Sequence, residues 1–174
     1  SKFSLILNEN AHLSIVQDFK KQIDNSTFPT KNILNNMLGN LYWQYFQKNR
    51  YQFYNRTRTT KKVDSIDFRT WDLNTLFKEA HTHFQKALIN KEQLTKINVT
   101  LFKDIMQLKK DSEIYRPTLF DFLSNNALTF YRTPEHNITK PTLQFKLDSQ
   151  KYLADVATFV KLKINTKDSL SLQF

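Results

Sequence analysis

Apolar side chains recur along most of this chain at steps of three and four residues, which is the spacing of one face of an α-helix. Polar or proline-containing segments separate these stripes. The stripes predict helices over residues 10–24, 34–46, 70–88, 100–108, 119–131 and 148–163. One other stretch, residues 142–147, alternates strictly, and it is too short to make a sheet alone. We therefore predict an all-α fold of about six amphipathic helices packed as antiparallel pairs.

The second stripe is the strongest in the sequence. Its members are Leu34, Met37, Leu38, Leu41, Tyr42, Tyr45 and Phe46. The single glycine of the chain, Gly39, lies within this stripe, where it costs a helix roughly 1 kcal/mol relative to alanine. A close helix crossing at Gly39 would explain why glycine is used there.

Two helix starts carry capping signals. Thr70 is predicted to cap the third helix, with Asp72 in its first turn, where a carboxylate complements the helix dipole. Thr118 and Asp121 match a capping box directly after Pro117, which predicts the start of the fifth helix. The residues predicted to determine the fold are Gly39, Trp43, Thr70, Trp71, Asp72, Pro117, Thr118 and Asp121.

Two short patterns are typical of tetratricopeptide repeats, whose units are pairs of helices. The letters LGNLY at residues 38–42 fit the first helix of a unit, and the letters AHTHFQKA at residues 80–87 fit the second. Small residues let antiparallel helices approach while the aromatic ring fills the seam. The two patterns lie too far apart for one repeat of about 34 residues. A divergent tetratricopeptide-like array and an irregular bundle both remain open.

The composition agrees with an all-α class. Apolar residues make up 40% and aromatic residues 14% of the 174 residues, which is enough for a buried core. One Gly and four Pro are too few for the many tight turns of a sandwich or barrel. The chain has no Cys, which excludes disulfides, thiolate metal sites and thiol catalysis. The length suits a single helical domain over residues 1–174.

The charge is strongly basic, with 26 Lys and Arg against 16 Asp and Glu and a formal net charge of +10. This balance permits nucleic acid, an anionic envelope surface or an acidic protein as partner. Aromatic and basic residues mix over residues 42–62, a combination that can bind single-stranded nucleic acid. However, Tyr42, Tyr45 and Phe46 belong to the second stripe, so a basic connection after a buried face is favoured. The possible interaction surface is Lys48, Arg50, Arg56, Arg58, Lys61 and Lys62.

Catalytic and metal-binding patterns are not evident. His81 and His83 lie two apart on a predicted helix, about 200° from each other around its axis, so they cannot share a metal. There is no glycine-rich phosphate loop. We predict a non-enzymatic protein without a cofactor. Four Asn-x-Ser/Thr matches begin at Asn25, Asn55, Asn98 and Asn137, and they have meaning only where the glycosylation machinery is present.

The two ends predict a fragment of a longer chain. The sequence starts at Ser1 without Met and shows no signal peptide or membrane span. Residues 166–169 look like the start of a further helix, near residue 167, and the sequence ends within this helix. Flanking sequence is therefore expected to hold any targeting signal.

Several blocks of sequence resemble one family. They are YWQYFQKNRYQFYNRT at residues 42–57, FRTWDL at 68–73, RPTLFDFL at 116–123 and DSLSLQF at 168–174. Together and in this order they are similar to the helical N-terminal region of large alpha-2-macroglobulin-like proteins of Gram-negative bacteria. The similarity covers most of the chain, from about residue 28 onward.

The resemblance implies a long protein of the periplasm or outer membrane, often lipid-anchored, whose β domains follow the helical part. The family is associated with protease inhibition by trapping, in which a Cys-Gly-Glu-Gln thioester captures the attacker. This chain has no Cys and no predicted β domain, so inhibition cannot be assigned to its residues. The implied role is a non-catalytic scaffold that contacts other domains of its parent chain or another envelope protein. A basic nucleic-acid-binding module is the alternative.

Overall fold

The computed structural model describes residues 11–54, 64–106, 108, 112–132 and 150–163. Its α-helices are α1 (Ala11–Asn25), α2 (Thr30–Lys48), α3 (Arg50–Tyr54), α4 (Leu73–Ala87), α5 (Lys91–Leu94), α6 (Ser112–Tyr115), α7 (Leu119–Tyr131) and α8 (Val156–Phe159). Three 3-10 helices span Phe68–Thr70, Val99–Phe102 and Gln150–Leu153. These residues contain no strand, only an isolated bridge between Asn98 and Thr118. The predicted all-α class is confirmed.

The chain divides into two units, Ser1–Tyr131 and Arg132–Phe174. The first contains α1 to α7, and the second contains α8. The single domain over residues 1–174 stays a prediction. The alternating stretch at 142–147 and the helix start near residue 167 lie outside the described residues.

Helices α2 and α4 form the most extensive pair of the first unit. They are antiparallel, because contacts at the start of one helix fall at the end of the other. Asn32, near the start of α2, donates its side-chain amide to the carbonyl of Ala87 at 3.0 Å. Near the other end of α2, the ring of Phe46 lies 5.0 Å from the ring of Phe77 in α4.

Helix α2 is the centre of the first unit, because α1 and α7 also pack against it. The start of α1 lies beside the end of α2, so these two helices are antiparallel as well. Helix α7 instead runs parallel to α2. Asn36 bonds to Leu123 and, two turns further along both helices, the ring of Trp43 meets that of Phe130. Packing in antiparallel pairs therefore describes α1, α2 and α4, while α7 joins them as a parallel neighbour.

The single glycine lies where α2 crosses α4. A Cβ atom on Gly39 would come within 3.2 to 3.3 Å of three ring atoms of Phe84. Phe84 is fully buried and stacks on Phe130 with the ring centroids 5.1 Å apart, so it has little room to move. The close approach explains why α2 carries a residue that costs roughly 1 kcal/mol of helix stability.

The buried face of α2 is wider than the predicted stripe. Leu38, Tyr42 and Phe46 are fully buried as predicted, but Met37 is 43% exposed, so its place on the packed face was predicted wrongly. The further buried positions of this helix are Asn32, Ile33, Asn35, Asn36, Gly39 and Trp43. One stripe suits a helix with a neighbour on one side, whereas α2 has neighbours on three.

An aromatic cluster fills the space between α2, α4 and α7. Trp43, Phe46, Phe77 and Phe130 lie with their ring centroids 5.0 to 6.0 Å apart. Most of these pairs meet edge to face, a geometry that contributes about 0.5–1.5 kcal/mol per pair beyond the burial of area. All four rings are buried, and they are therefore inaccessible to nucleotide bases.

The cap of α4 differs from the predicted one. Thr70 ends the 3-10 helix Phe68–Thr70 and donates its hydroxyl to the carbonyl of Asp67 at 2.7 Å. The N-cap is Asp72, whose carboxylate accepts a hydrogen bond from the backbone N–H of Thr75 at 2.9 Å. The prediction that Thr70 caps the helix is wrong because the 3-10 turn places Thr70 in a separate helical segment.

We expect Asp72→Ala to lower the free energy of unfolding by about 1 kcal/mol, the usual contribution of an N-cap side chain. Thr70→Ala is the matched control, and it will cost less because its hydrogen bond is exposed. Urea denaturation of both variants measures the two losses. A larger loss for Thr70→Ala would contradict the assignment of Asp72 as the cap.

The start of α7 is fixed from two sides. The N–H of Thr118 donates to the Asp121 carboxylate at 3.0 Å, and the N–H of Asp121 donates to the Thr118 hydroxyl at 3.2 Å. These are the two reciprocal bonds of a capping box. Residues 97–99 pair with the main chain before the helix, and the N–H of Val99 donates to the carbonyl of Pro117 at 2.9 Å.

The α-helix predicted over residues 100–108 is wrong. The chain instead forms the 3-10 helix Val99–Phe102 and then turns, with Leu101 and Ile105 exposed and Met106 buried. After the pairing of residues 97–99 with the start of α7, the main chain closes tight turns in which the N–H of Leu101 donates to the carbonyl of Asn98 and that of Lys103 to the carbonyl of Thr100, both at 3.3 Å.

The helix predicted over residues 148–163 is also wrong within the described part of the second unit. Asp155 has a non-helical ψ of 159°, and its carboxylate accepts a hydrogen bond from the N–H of Thr158 at 3.1 Å. It therefore caps a new short helix, α8, and separates it from Gln150–Leu153. The side chains predicted to pack along this helix, among them Leu153, Val156 and Val160, are exposed.

Candidate protein-interaction groove

A groove of about 780 Å³ lies along the face of α2 between α1 and α7. Ile15 and Phe19 of α1 line one wall, and Ile105 and Phe122 line the other. Residues of α2 between positions 33 and 48 form the floor, which is about 22 Å long at the rise of an α-helix. This volume lies within the usual range for binding clefts, about 300–1,000 Å³.

A buried asparagine organises the floor of the groove. The side-chain nitrogen of Asn36 donates to the carbonyl of Leu123 in α7 at 3.1 Å. Its side-chain oxygen accepts from the amide nitrogen of Asn40 at 3.2 Å and from that of Asn126 at 2.8 Å. Both neighbours therefore direct their nitrogen toward Asn36. Among the described residues, no donor reaches the amide oxygen of Asn40 or Asn126.

Gln44 continues this row one helical turn beyond Asn40. Its side chain is exposed, lines the groove and makes no hydrogen bond within the described part of the chain. Side chains four residues apart on a helix have their Cβ atoms about 5–6 Å apart. The row therefore offers the groove the side-chain oxygen of Asn40 and, one turn further, both the donors and the acceptor of the Gln44 amide, while the buried Asn36 is bonded within the protein.

The apolar residues of the groove are accessible on its floor and on one wall. Met37 is 43% exposed and Ile105 is 63% exposed, and both line the groove. Methionine has a flexible, polarisable side chain that adapts to different apolar surfaces. The groove therefore combines adaptable apolar surface with the amides of Asn36, Asn40 and Asn126, which hydrogen bonds hold in place.

The charged end of the groove is basic. Lys48, at the C-terminal end of α2, lines it, and none of the described residues that line it is acidic. Burial, and then the charges of Lys48 and Arg69, lower the pKa of His12 below its usual 6.5. His12 is therefore mainly neutral at pH 7, and Lys48 supplies the positive charge of the groove.

The predicted interaction surface is only partly within the described residues. Lys48 belongs to the groove, whereas Arg50 begins α3 and places its guanidinium 5.9 Å from the centroid of the Phe46 ring. The remaining members, Arg56, Arg58, Lys61 and Lys62, lie outside the described residues. The structure thus connects one of the six predicted residues to the groove.

Sequence reasoning missed the amide row, although a signal was present. Asn36, Asn40 and Gln44 follow one another at four-residue steps, which puts them on one face of α2. The sequence pattern marks asparagine only in its four glycosylation-type matches. Of those matches, Asn98 caps Val99–Phe102 by accepting from the N–H of Thr100 at 2.9 Å, and Asn25 ends α1. Asn55 and Asn137 lie outside the described residues.

The two histidines of α4 point in different directions. His83 is buried, and its Nδ1 lies 2.8 Å from the side-chain oxygen of Asn35 in α2. His81 forms a hydrogen bond between its Nδ1 and the hydroxyl of Tyr131 in α7. Within the described part of the chain, no group of His, Asp and Glu side chains is arranged to hold a metal ion.

We expect stability to fall as the solution is acidified from about pH 7.5 to about pH 5.5. Burial lowers the pKa of His81 below its usual 6.5, so the unfolded chain takes up a proton first as the pH falls. The contribution of neutral His81 to the free energy of unfolding is present above pH 6.5 and is lost as the pH falls below that value. His81→Gln should make the fall in the free energy of unfolding shallower, whereas the exposed control Lys86→Gln should not. Equal slopes for the wild type and His81→Gln would contradict the prediction.

No protein-family model, curated protein or solved structure matches this chain. The functional conclusion therefore depends on the geometry of the groove and on the sequence blocks. Among the described helices, none has the length and apolar character needed to cross a bilayer.

Proposed function

We propose that this chain is a non-catalytic helical scaffold that binds other polypeptides, and that the groove along α2 is its contact surface. The observation that carries the proposal is the amide hub at Asn36. It fixes the side chains of Asn40 and Asn126 in an accessible, mainly apolar groove and leaves their oxygens without a donor from the described residues. Oriented amides between apolar walls suit the recognition of a polypeptide main chain.

We propose further that the scaffold is the helical region of an alpha-2-macroglobulin-like protein of the periplasm or outer membrane. The sequence blocks at residues 42–57, 68–73 and 116–123 support this proposal, as does the all-α class. The antiparallel contact of Gly39 with Phe84 also supports a divergent tetratricopeptide-like pair, since it joins the two patterns typical of that repeat. The proposed partners are other domains of the parent chain or another envelope protein. Proteases would bind only to the trapping domains of the family, which this chain does not contain.

The test is association with the parent polypeptide. The chain and the remainder of the polypeptide encoded with it are produced separately, mixed and followed by sedimentation velocity. We expect a complex that forms with the wild-type chain and weakens when Met37→Glu places a charge in the groove. Lys31→Glu, on the same helix but outside the groove, is the matched control. A parent polypeptide without macroglobulin-like β domains would contradict the family, and absence of any complex would contradict the scaffold role.

A second candidate, binding of single-stranded nucleic acid, has one observation in its favour. Tyr51 and Tyr54 lie three residues apart on α3, they are 84% and 46% exposed, and the exposed Lys48 precedes Tyr51 by three residues in the sequence. Exposed rings beside cations can stack on bases. This hypothesis predicts oligonucleotide binding that weakens steeply with salt and disappears on replacing Arg50, Arg56, Arg58, Lys61 and Lys62 together. A flat fluorescence-anisotropy titration at low salt would exclude it.

A further inference from the structure

We infer that the groove along α2 binds an extended, mainly apolar polypeptide segment that carries an acidic side chain at the end facing Lys48. The inference rests on the proposed scaffold role and specifies its partner by chemistry. The floor is about 22 Å long, and an extended chain rises about 3.3 Å per residue, so the bound segment spans about seven residues.

The amides of the floor require an extended partner rather than a helical one. The main-chain N–H and C=O groups of a helix are already paired inside the helix, apart from its ends. An extended segment presents these groups along its whole length. The oxygens of Asn40 and Asn126 can accept main-chain N–H groups, and the exposed amide of Gln44 can both donate and accept.

The spacing of the amides also matches an extended segment. Asn40 and Gln44 lie one turn apart, with a Cβ separation of about 5–6 Å. Every second residue of an extended chain points its main-chain groups the same way, and two residues rise about 6.6–6.8 Å. Flexible amide side chains cover the remaining difference, so both can bond alternate residues of one segment.

The side chains of such a segment alternate between its two faces, which fits the two apolar walls. Residues that point sideways meet Ile15 and Phe19 of α1 or Ile105 on the other side, and residues that point downward meet Met37 of the floor. Burial of apolar area supplies the larger part of the affinity, at roughly 25 cal/mol per Å² before the costs of association.

Charge decides which end of the groove receives the acidic side chain of the segment. Lys48 lies at one end of the groove, and within the described part of the chain no acidic residue lines it. Lys48 makes no ion pair with the described residues. An acidic side chain at that end would meet an uncompensated positive charge, which selects orientation more than it raises affinity.

The inference is tested by calorimetric titration of the whole chain with blocked heptapeptides. Two of them alternate Leu and Ser and carry Glu at the first or the last position. A third repeats the better binder with alternate main-chain nitrogens methylated, and a fourth replaces its Glu with Gln. We expect one of the two Glu peptides to bind and the methylated peptide to bind at least about 10-fold more weakly, the equivalent of one or two hydrogen bonds.

Variants of the chain connect the binding to particular residues. Gln44→Leu and Asn40→Leu should each weaken binding about 5- to 10-fold, while Asn125→Leu, adjacent to the hub but outside the groove, should not. Lys48→Gln should weaken the Glu peptide about 3-fold and leave the Gln peptide unchanged. Gln44 is exposed, so its replacement tests the groove without risk to the fold.

Several results would overturn the inference. These are no binding of either Glu peptide at about 1 mM, equal binding of the methylated peptide, or equal binding of a helix-locked peptide of the same composition. A chain dimer that Gln44→Leu dissociates would assign the groove to a second copy instead. Association with the parent polypeptide, measured separately, decides the scaffold role. That role survives if the complex forms while every heptapeptide fails.

Discussion

Replacing Gly39 with leucine will lower the free energy of unfolding by about 3 kcal/mol, the upper part of the usual cost of overpacking a core. A Cβ atom alone already comes within 3.2 Å of the Phe84 ring, and a leucine adds three more carbons in the same direction. Phe84 cannot move aside, because it is fully buried and stacked on Phe130. Urea denaturation measures the loss. A loss below about 1 kcal/mol would show that α2 and α4 do not cross closely there.

Gly39→Ala and a double variant separate the clash from the helix propensity of the new residue. Alanine raises the helix propensity at this position by roughly 1 kcal/mol. Its Cβ atom also pushes against the Phe84 ring, which must shift by a few tenths of an ångström, and this contact costs stability. We expect a net loss smaller than for leucine. Combining Gly39→Ala with Phe84→Leu should cost less than the sum of the two single changes, since the smaller side chain makes room. Strict additivity would contradict direct contact.

Replacing Trp71 with alanine will lower the free energy of unfolding by about 4 kcal/mol, the usual loss for a fully buried large aromatic side chain. The ring of Trp71 is 1% exposed and lies against Tyr42 and Phe68. Its indole N–H donates to the carbonyl of Asp64. The side chain therefore joins the segment before α4 to the face of α2.

Two matched variants test the origin of this loss, one by removing the hydrogen bond and the other by removing an exposed aromatic side chain. Trp71→Phe keeps most of the packing and removes the N–H donor, so we expect a loss of about 1–2 kcal/mol. Tyr51→Ala removes an aromatic side chain that is 84% exposed, and we expect a change within about 0.5 kcal/mol. A similar loss for Trp71→Ala and Tyr51→Ala would show that the Trp71 ring is not part of the core.

Features that depend on neighbours in sequence were predicted well. The helical period of the apolar residues gave α1, α2, α4 and α7, because it depends only on backbone geometry. The capping box at Thr118 and Asp121 also follows from local chemistry, and both of its hydrogen bonds are present. Gly39 predicted a close crossing, since a glycine inside a strong stripe has few other uses.

Features that depend on the packing of distant segments were not predicted. The buried asparagines of α2 find their partners in α4 and α7, and for Asn36 the bonded carbonyl lies 87 residues away. Their burial follows only when α2 has neighbours on three sides. The cap at Asp72 rather than Thr70 depends on the 3-10 turn that ends at Thr70. The groove itself is lined by residues of α1, α2 and α7 and by Ile105 and Met106, which only the folded chain brings together.

The amide-lined groove along α2 is proposed to receive an extended, mainly apolar segment that carries one acidic side chain at the end facing Lys48. Nuclear magnetic resonance of the ¹⁵N-labelled chain, titrated with the better Glu heptapeptide, tests it most directly. We predict that the largest shifts fall on the side-chain amides of Asn40, Gln44 and Asn126 and on the backbone of the groove walls. The backbone signals of α3 should stay in place. Shifts confined to α3, or no shifts at saturating peptide, would contradict the claim.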